Sequence, residues 1–333
     1  MSGSNDLNLN ASAFDPANMS PETAKLNTMI ETMFVKGPTW MEVGAAKYRS
    51  MRALGQTALP APVLLPDAED IPIPSRDTGR TIPVRKIVPK DSASKGIFLH
   101  IHGGGFVIGG HQEQDISLAR YATTHSLTVL SIGYRLAPEH PFPAPLEDCI
   151  DVAHHLVDND SHGPILFMGG ESAGANLAVV TALHLHVSRP SFTLLGLVLP
   201  FGVYDGTMNL PSIAGNTRPL LLNEEVMQAF MDAYTPSYTI AQIRDPRISP
   251  LYADLHGLAA KKKLPPAVMV VGTADPLVDD TLMMGMKWQA AGGEAFVKVY
   301  AGGAHGFTAF PAAVGEEARV EILDWMGKKL EGL

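Results

Sequence analysis

Seven short apolar runs, at 82–88, 96–101, 128–133, 165–168, 197–199, 267–271 and 296–300, recur along this chain, with helix-like segments such as 146–157 and 175–187 between most of them. That alternation constrains the fold more than any other feature. Neighbouring parallel strands can be joined only by a long crossover, usually a helix, and crossover helices cover both faces of the sheet. The chain is therefore expected to form an α/β structure with one mostly parallel central sheet flanked by helices, beginning near residue 70. Its 333 residues are 46% hydrophobic and 18% charged, enough apolar surface for one large core.

Two segments stand outside the alternation. The first 20 residues or so are polar and are expected to be poorly ordered. Ser20 then precedes Pro21, a capping serine before proline at the first helical position. Leu26, Met29, Ile30, Met33 and Phe34 follow at helical spacing on one face. Gly37-Pro38 ends that helix, and Thr39 with Glu42 has the spacing of a capping box that starts another. The second segment, 204–238, opens loop-like and continues into a helix begun by Asn223. Val226, Met227, Phe230, Met231 and Tyr234 form its apolar face.

Open α/β sheets bind ligands beyond the C-terminal ends of their strands. Residues 1–55 and 203–240 are accordingly expected to form a helical cap over that edge, and 56–202 with 241–333 the α/β core. Of the 15 methionines, Met19, Met29, Met33, Met41, Met51, Met208, Met227 and Met231 fall in the two extra segments. Methionine adapts to irregular apolar shapes. Some of these, with Phe34, Trp40 and Phe230, are expected to wall an apolar substrate pocket. Packing of the cap helices onto one another is the competing explanation.

The chemistry centres on Gly170-Glu171-Ser172-Ala173-Gly174, which follows the run 165–168 and precedes the helix-like 175–187. A serine on such a strand-to-helix turn is strained and held out of the sheet. Flanking glycines let neighbouring backbone approach, and the helix N-terminus favours developing negative charge. Alone, the five residues could be a tight turn with an incidental serine; their context argues for a nucleophile. His102-Gly103-Gly104-Gly105 ends the run 96–101. A loop without side chains can present N–H groups to an oxyanion there. Gly104, Gly105 and Ala173 are the expected donors. No GxxxxGK[ST] or GxGxxG pattern accompanies the glycines to suggest a phosphate loop.

A serine hydroxyl needs a base, and the base needs an orienting acid. On α/β-hydrolase sheets the chain order is serine, acid, histidine. Asp275 follows the run 267–271, and His305 follows the last run in Gly303-Ala304-His305-Gly306-Phe307. Both belong to the strand edge that carries Ser172. Asp279 and Asp280 compete for the acid role but are expected inside the next helix. The other histidines read as ordinary residues. His154, His155, His184 and His186 sit on helix-like segments where near neighbours do not converge. His100 and His102 share a strand face without a third metal ligand, and His102 is expected to brace the glycine loop. Cys149 reads as a small buried group. Neither a metal nor an organic cofactor is expected.

These motifs resemble the hormone-sensitive-lipase family of esterases, the bacterial family IV group. His102-Gly103-Gly104-Gly105-Phe106 is similar to that family's oxyanion motif and Gly170-Glu171-Ser172-Ala173-Gly174 to its serine motif. Tyr134-Arg135-Leu136-Ala137-Pro138-Glu139 with Phe142-Pro143-Ala144, Asp245-Pro246-Arg247-Ile248-Ser249-Pro250-Leu251, and Asp275-Pro276-Leu277-Val278-Asp279 continue the likeness, which spans residues 70–330. The chain departs from the family's frequent residues at Glu171, where Asp is common, at Ala175, where glycine is, and at Asp280, where Glu is. These changes bear on subfamily and substrate rather than on the triad. The resemblance implies an α/β-hydrolase fold with a helical cap and hydrolysis of short- to medium-chain esters. It also makes a homodimer an expectation. An acyltransferase with the same triad is an alternative. So is a non-catalytic receptor, although receptors of this family have lost the histidine that is present here as His305.

A formal net charge of −9 argues against nucleic acid or anionic lipid as a partner. The expected partners are a small-molecule ester and water. The single cysteine excludes an intrachain disulfide and fits a reducing compartment. The first residues lack a basic segment followed by an apolar run, so no signal peptide is expected. No apolar stretch is long enough to span a bilayer. A cytoplasmic location is the resulting expectation.

Overall fold

The apolar runs are strands of a single sheet. The computed structural model describes residues 9–159 and 162–333. Its strands are β1 (Glu69–Pro74), β2 (Thr81–Ile87), β3 (Ile97–Ile101), β4 (Thr128–Ile132), β5 (Ile165–Gly170), β6 (Gly196–Pro200), β7 (Ala267–Ala274) and β8 (Ala295–Ala304). They lie in the order β1-β2-β4-β3-β5-β6-β7-β8. Neighbours from β4 to β8 pair in parallel, while β2 runs antiparallel to both β1 and β4. Every residue of β3, β4, β5 and β6 is buried, as a sheet covered on both faces requires.

The sequence pattern misses β1 because Pro72 and Pro74 interrupt it. Proline lacks the ladder N–H and is tolerated where a strand lies at a sheet edge. β1 is such an edge strand, with Pro72 opposite Pro83 of β2.

The helices are α1 (Pro21–Lys36), α2 (Trp40–Val43), α3 (Ala45–Ala53), α4 (Asp115–His125), α5 (Ala144–Asp158), α6 (Ala173–Ser188), α7 (Pro211–Gly215), α8 (Glu224–Tyr234), α9 (Ile240–Ile243), α10 (Leu255–Ala259), α11 (Val278–Ala290) and α12 (Ala313–Leu330). Alternate strand residues feed two core layers. Leu99 and Leu130 pack with Leu146, Val152, Leu177, Met284 and Trp288 of α5, α6 and α11. Phe98 and Val129 pack with Leu118, Ala122, Ile322 and Met326 of α4 and α12.

Contrary to the expectation of disorder, residues 9–20 are structured; residues 1–8, including the segment read as lacking a leader, lie outside the described residues. Two 3-10 turns, Ala11–Phe14 and Pro16–Asn18, are capped by the side chains of Asn10 and Asp15. The segment docks on β8: Met19 packs where a Cβ on Gly302 would stand, and Asn27 Nδ2 donates to the Gly302 carbonyl at 2.8 Å. Ser20 caps α1 through the Thr23 N–H, and Asn223 caps α8 through the Val226 N–H. The Thr39–Glu42 box forms reciprocally, but Gly44, at φ 86°, stops α2 after one turn before α3 begins. Among the described residues no helix is long and apolar enough to cross a membrane.

Strand order places the site. The connection from β3 leads to β4 on one side, and that from β5 leads to β6 on the other. The crevice beyond β3 and β5 is thus a topological switch point, where open α/β sheets take ligands. His102 follows β3 there, and Ser172 follows β5.

Candidate active site

Ser172 occupies a backbone conformation that few side chains tolerate, φ 56° and ψ −122°, between the end of β5 and the start of α6. Such a residue costs about 1–3 kcal/mol and persists only where its surroundings enforce it. They do. A Cβ on Gly170 or on Gly174 would collide with the Ile101 carbonyl of the neighbouring strand. Only glycine two residues either side lets the turn sit this close to β3. Ser172 N–H donates to the Pro200 carbonyl at 3.2 Å, tying the turn to β6 as well.

The ends of β7 and β8 supply the next two side chains. Ala274 pairs with Ala304, so the residues that follow them, Asp275 and His305, emerge side by side. Close approach of the two strand ends needs Gly272, whose Cβ would collide with the Gly303 carbonyl. His305 Nδ1 donates to Asp275 Oδ2 at 2.9 Å, and Ser172 Oγ donates to His305 Nε2 at 3.0 Å, in the tautomer that satisfies both bonds. Asp275 is fully buried, and its Oδ1 accepts the Leu277 N–H at 2.9 Å. The Phe201 ring stands edge-on to His305 with centroids 5.0 Å apart. The structure therefore brings the three residues into one hydrogen-bonded row.

The rival acids point elsewhere. Both lie in the first turn of α11. Asp279 accepts the Ser212 N–H at 2.8 Å. Asp280 accepts the N–H groups of Tyr204 and Asp205 at 2.6 and 2.8 Å. Burial pushes Asp280 up from 3.8 to about 8, over the opposing pull of those two amides, and the nearby charges of Asp205 and Asp275 add to the rise.

Beyond β3 the chain turns through Gly104 and Gly105 at φ 112° and 60°. A Cβ on Gly104 would collide with the Ile108 carbonyl. The Gly104 carbonyl accepts from Val107 and Ile108. Among the described residues, the N–H groups of Gly104, Gly105 and Ala173 have no protein partner. The N–H of Ala173 also opens α6, where the helix dipole favours negative charge. His102 braces the loop: its Nδ1 donates to the Gly103 carbonyl at 2.8 Å, and its ring stacks on Tyr134. Tyr134 in turn donates to the His102 carbonyl at 2.8 Å. Burial pushes the His102 imidazole down to about 4, which keeps it neutral for that role.

The aromatic residues expected in the pocket have different surroundings. The Phe230 ring lies where a Cβ on Gly105 would stand. Trp40 stacks on Phe230 with centroids 5.2 Å apart. Phe34 packs instead against Leu26, Ile30, Leu220, Ala304, Phe310 and Ala312. The methionine expectation narrows. Met227 and Met231 are buried in the main core and Met208 packs against it, whereas Met29 and Met41 are exposed and Met19 sits on Gly302. Cys149 is buried. Among the described residues no three His, Cys, Asp or Glu side chains converge as metal ligands.

A protein-family model for the alpha/beta hydrolase fold matches residues 98–309. The carboxylic ester hydrolase LipN of Mycobacterium tuberculosis is 31% identical over 296 residues, 85% of this chain and 76% of that protein. The chain belongs to the hormone-sensitive-lipase family of α/β-hydrolase carboxylesterases. An esterase of Acinetobacter venetianus is 32% identical to it over 228 residues, 68% of this chain and 72% of that protein. Among solved structures, the hyperthermophilic esterase of the archaeon Pyrobaculum calidifontis superposes on this carboxylesterase with a TM-score of 0.77 at 28% identity, covering 92% of this chain and 97% of that one. An ester hydrolase from the metagenome of Lake Arreo, solved with a bipyridine phosphonate derivative, gives 0.79 at 27% identity, covering 94% and 99%.

Sequence reasoning missed the partners of two acids in this carboxylesterase. Asp280 clamps the backbone after β6, and Glu171 gathers donors from three separate elements. No local pattern announces either contact.

Proposed function

We propose that this carboxylesterase hydrolyses short- to medium-chain carboxylic esters through an acyl-enzyme on Ser172. His305 takes the Ser172 proton as Oγ attacks the ester carbonyl. The free N–H groups of Gly104, Gly105 and Ala173 receive the oxyanion. His305 then protonates the leaving alkoxide and activates the water that releases the acid. Asp275 holds the imidazole in the useful tautomer and stabilises its charged form. The observation that carries this reading is the row from Ser172 Oγ through His305 to the buried Asp275, at 3.0 and 2.9 Å.

Residues 1–55 and 203–240 act as the cap, and 56–202 with 241–333 as the catalytic core. Two contacts support the division of labour: the Trp40–Phe230 stack joins the two cap segments, and Phe230 rests on Gly105 of the core. Trp40 and Phe230 bound the acyl site, and Phe34 supports the cover from a separate cluster. The test is kcat/KM across 4-nitrophenyl esters of increasing acyl length, with matched anilides and with an alcohol acceptor added. Short to medium esters should be turned over best, anilides far more slowly, and free acid should be the product even with the alcohol present. Preferential transfer to the alcohol would instead make the chain an acyltransferase.

A further inference from the structure

Glu171 precedes the nucleophile and takes no part in the proton relay, yet three donors converge on its carboxylate. Gly103 N–H and Gln114 Nε2 both reach Oε1 at 2.5 Å, and His100 Nε2 reaches Oε2 at 3.0 Å. These partners come from the start of the oxyanion loop, the approach to α4, and β3. His100 is itself fixed, since Ser131 Oγ of β4 donates to its Nδ1 at 2.9 Å. Contact with Gly103 is close: a Cβ there would stand 2.7 Å from the Glu171 carbonyl and 3.1 Å from Oε1. Gly103 is thus held at both ends, its N–H by Glu171 and its carbonyl by His102. The two N–H groups that follow in the loop, those of Gly104 and Gly105, are the ones left free.

We propose that Glu171 is a positioning residue whose carboxylate latches the first glycine of the oxyanion loop to the nucleophile turn, so that the Gly104 and Gly105 N–H groups hold their aim as charge develops. The inference rests on Ser172 being the nucleophile. A carboxylate suits the task because it is acceptor-only and has lone pairs for all three donors. A glutamine of the same size keeps one oxygen for Gly103 and Gln114, but its NH2 then faces His100 and is met only if that imidazole switches tautomer and Ser131 turns to accept. Burial works to raise the Glu171 pKa, but His100, Gly103 and Gln114 together outweigh it and keep the group ionised. Donors that are held in advance stabilise an oxyanion without reorganising during the reaction. A latch on the loop therefore acts on kcat rather than on substrate binding.

The test compares the parent with Glu171→Gln, Glu171→Asp and Gln114→Ala, each first checked for folding by thermal melting. Three quantities are measured: kcat and KM on a short 4-nitrophenyl ester, the affinity for a trifluoromethyl ketone that forms an oxyanion on serine, and the affinity for the matching unreactive secondary alcohol. Glu171→Gln should lower kcat and ketone affinity in parallel by about ten- to hundredfold, with KM and alcohol affinity nearly unchanged. Glu171→Asp should retain more activity than the isosteric Gln, and Gln114→Ala should show a smaller loss of the same kind. Gln114→Ala also carries the test if the Glu171 variants do not fold. Parental kcat and ketone affinity in Glu171→Gln, Gln outperforming Asp, or a change confined to KM would overturn the latch. Phosphonate labelling of Ser172 in the parent, located by mass spectrometry, tests the nucleophile assignment separately.

Discussion

The floor and the cover of the crevice are built by different means. On the floor, Ser172, Asp275 and His305 stand at strand ends, beside glycines that pack directly on backbone. Gly170, Gly174 and Gly272 each have a carbonyl where a Cβ would need to go. Above Gly105, α2 and α8 contribute side chains, the Phe230 ring and the Trp40 ring stacked on it, while Phe34 of α1 packs in a small satellite cluster. Val35, Met29 and Met41 on those same cover helices are exposed. Interlocked backbone has no softer arrangement to relax into, whereas packed side chains can shift rotamer. Changes to the floor should therefore stop the reaction, and changes to the cover should retune it.

The largest effect should come from the floor. Asp275→Asn is expected to lower kcat/KM by about three to four orders of magnitude, because the imidazole loses the partner that fixes its tautomer. Asp279→Asn should stay within about tenfold, since among the described residues the Asp279 carboxylate accepts only the Ser212 amide. Equal losses in the two variants would break the distinction between them.

A smaller effect should come from the cover. Phe230→Ala removes the ring over Gly105 and the surface on which Trp40 stacks. Turnover of the shortest ester is expected to stay within about tenfold while preference moves toward longer acyl chains, because a pocket contact is worth about 1–3 kcal/mol per methylene. The measurement is kcat/KM against acyl length for parent and variant. An unchanged profile would mean the cover does not shape the acyl site.

The smallest effect concerns the joint between the two regions, where Asp280 holds the backbone of Tyr204 and Asp205. Its folded-state pKa, about 8, lies above the ordinary 3.8, so the folded protein binds the extra proton. The contribution to stability is fully present below the ordinary value and is lost as pH rises through about 8. Urea midpoints should therefore fall between about pH 5 and pH 8 in the parent and level off above that. Asp280→Asn should show a weaker fall, because the amide cannot ionise. Equal slopes would remove Asp280 as the source.

The same contrast governs what could be read from the sequence. Gly170, Ser172 and Gly174 are legible because backbone crowding dictates residue type at fixed spacing. Asp275 and His305 are legible because each directly follows a strand. β1 is not, because Pro72 and Pro74 mask a strand that only an edge position allows. Order over 9–20 depends on local caps at Asn10 and Asp15 and on docking of Met19 against Gly302, distant in the chain. The partners of Glu171 are equally remote: His100 lies 71 residues away and Gln114 lies 57 away. The methionines of the cover could be counted but not oriented. Exposure of Met29 and burial of Met227 follow from how α1 and α8 pack, which helical periodicity alone leaves open.

If the floor performs the chemistry, a covalent ester of Ser172 forms during turnover. Rapid quenching in acid during turnover of a slowly deacylating 4-nitrophenyl ester, followed by peptide mass spectrometry, tests it directly. One acyl group should be found on the peptide that carries Ser172, appearing with the burst of nitrophenol and absent from Ser172→Ala, which should also lose at least about three orders of magnitude in kcat/KM. An acyl group on another residue, or a Ser172→Ala variant that still turns over ester near the parental rate, would place the nucleophile elsewhere.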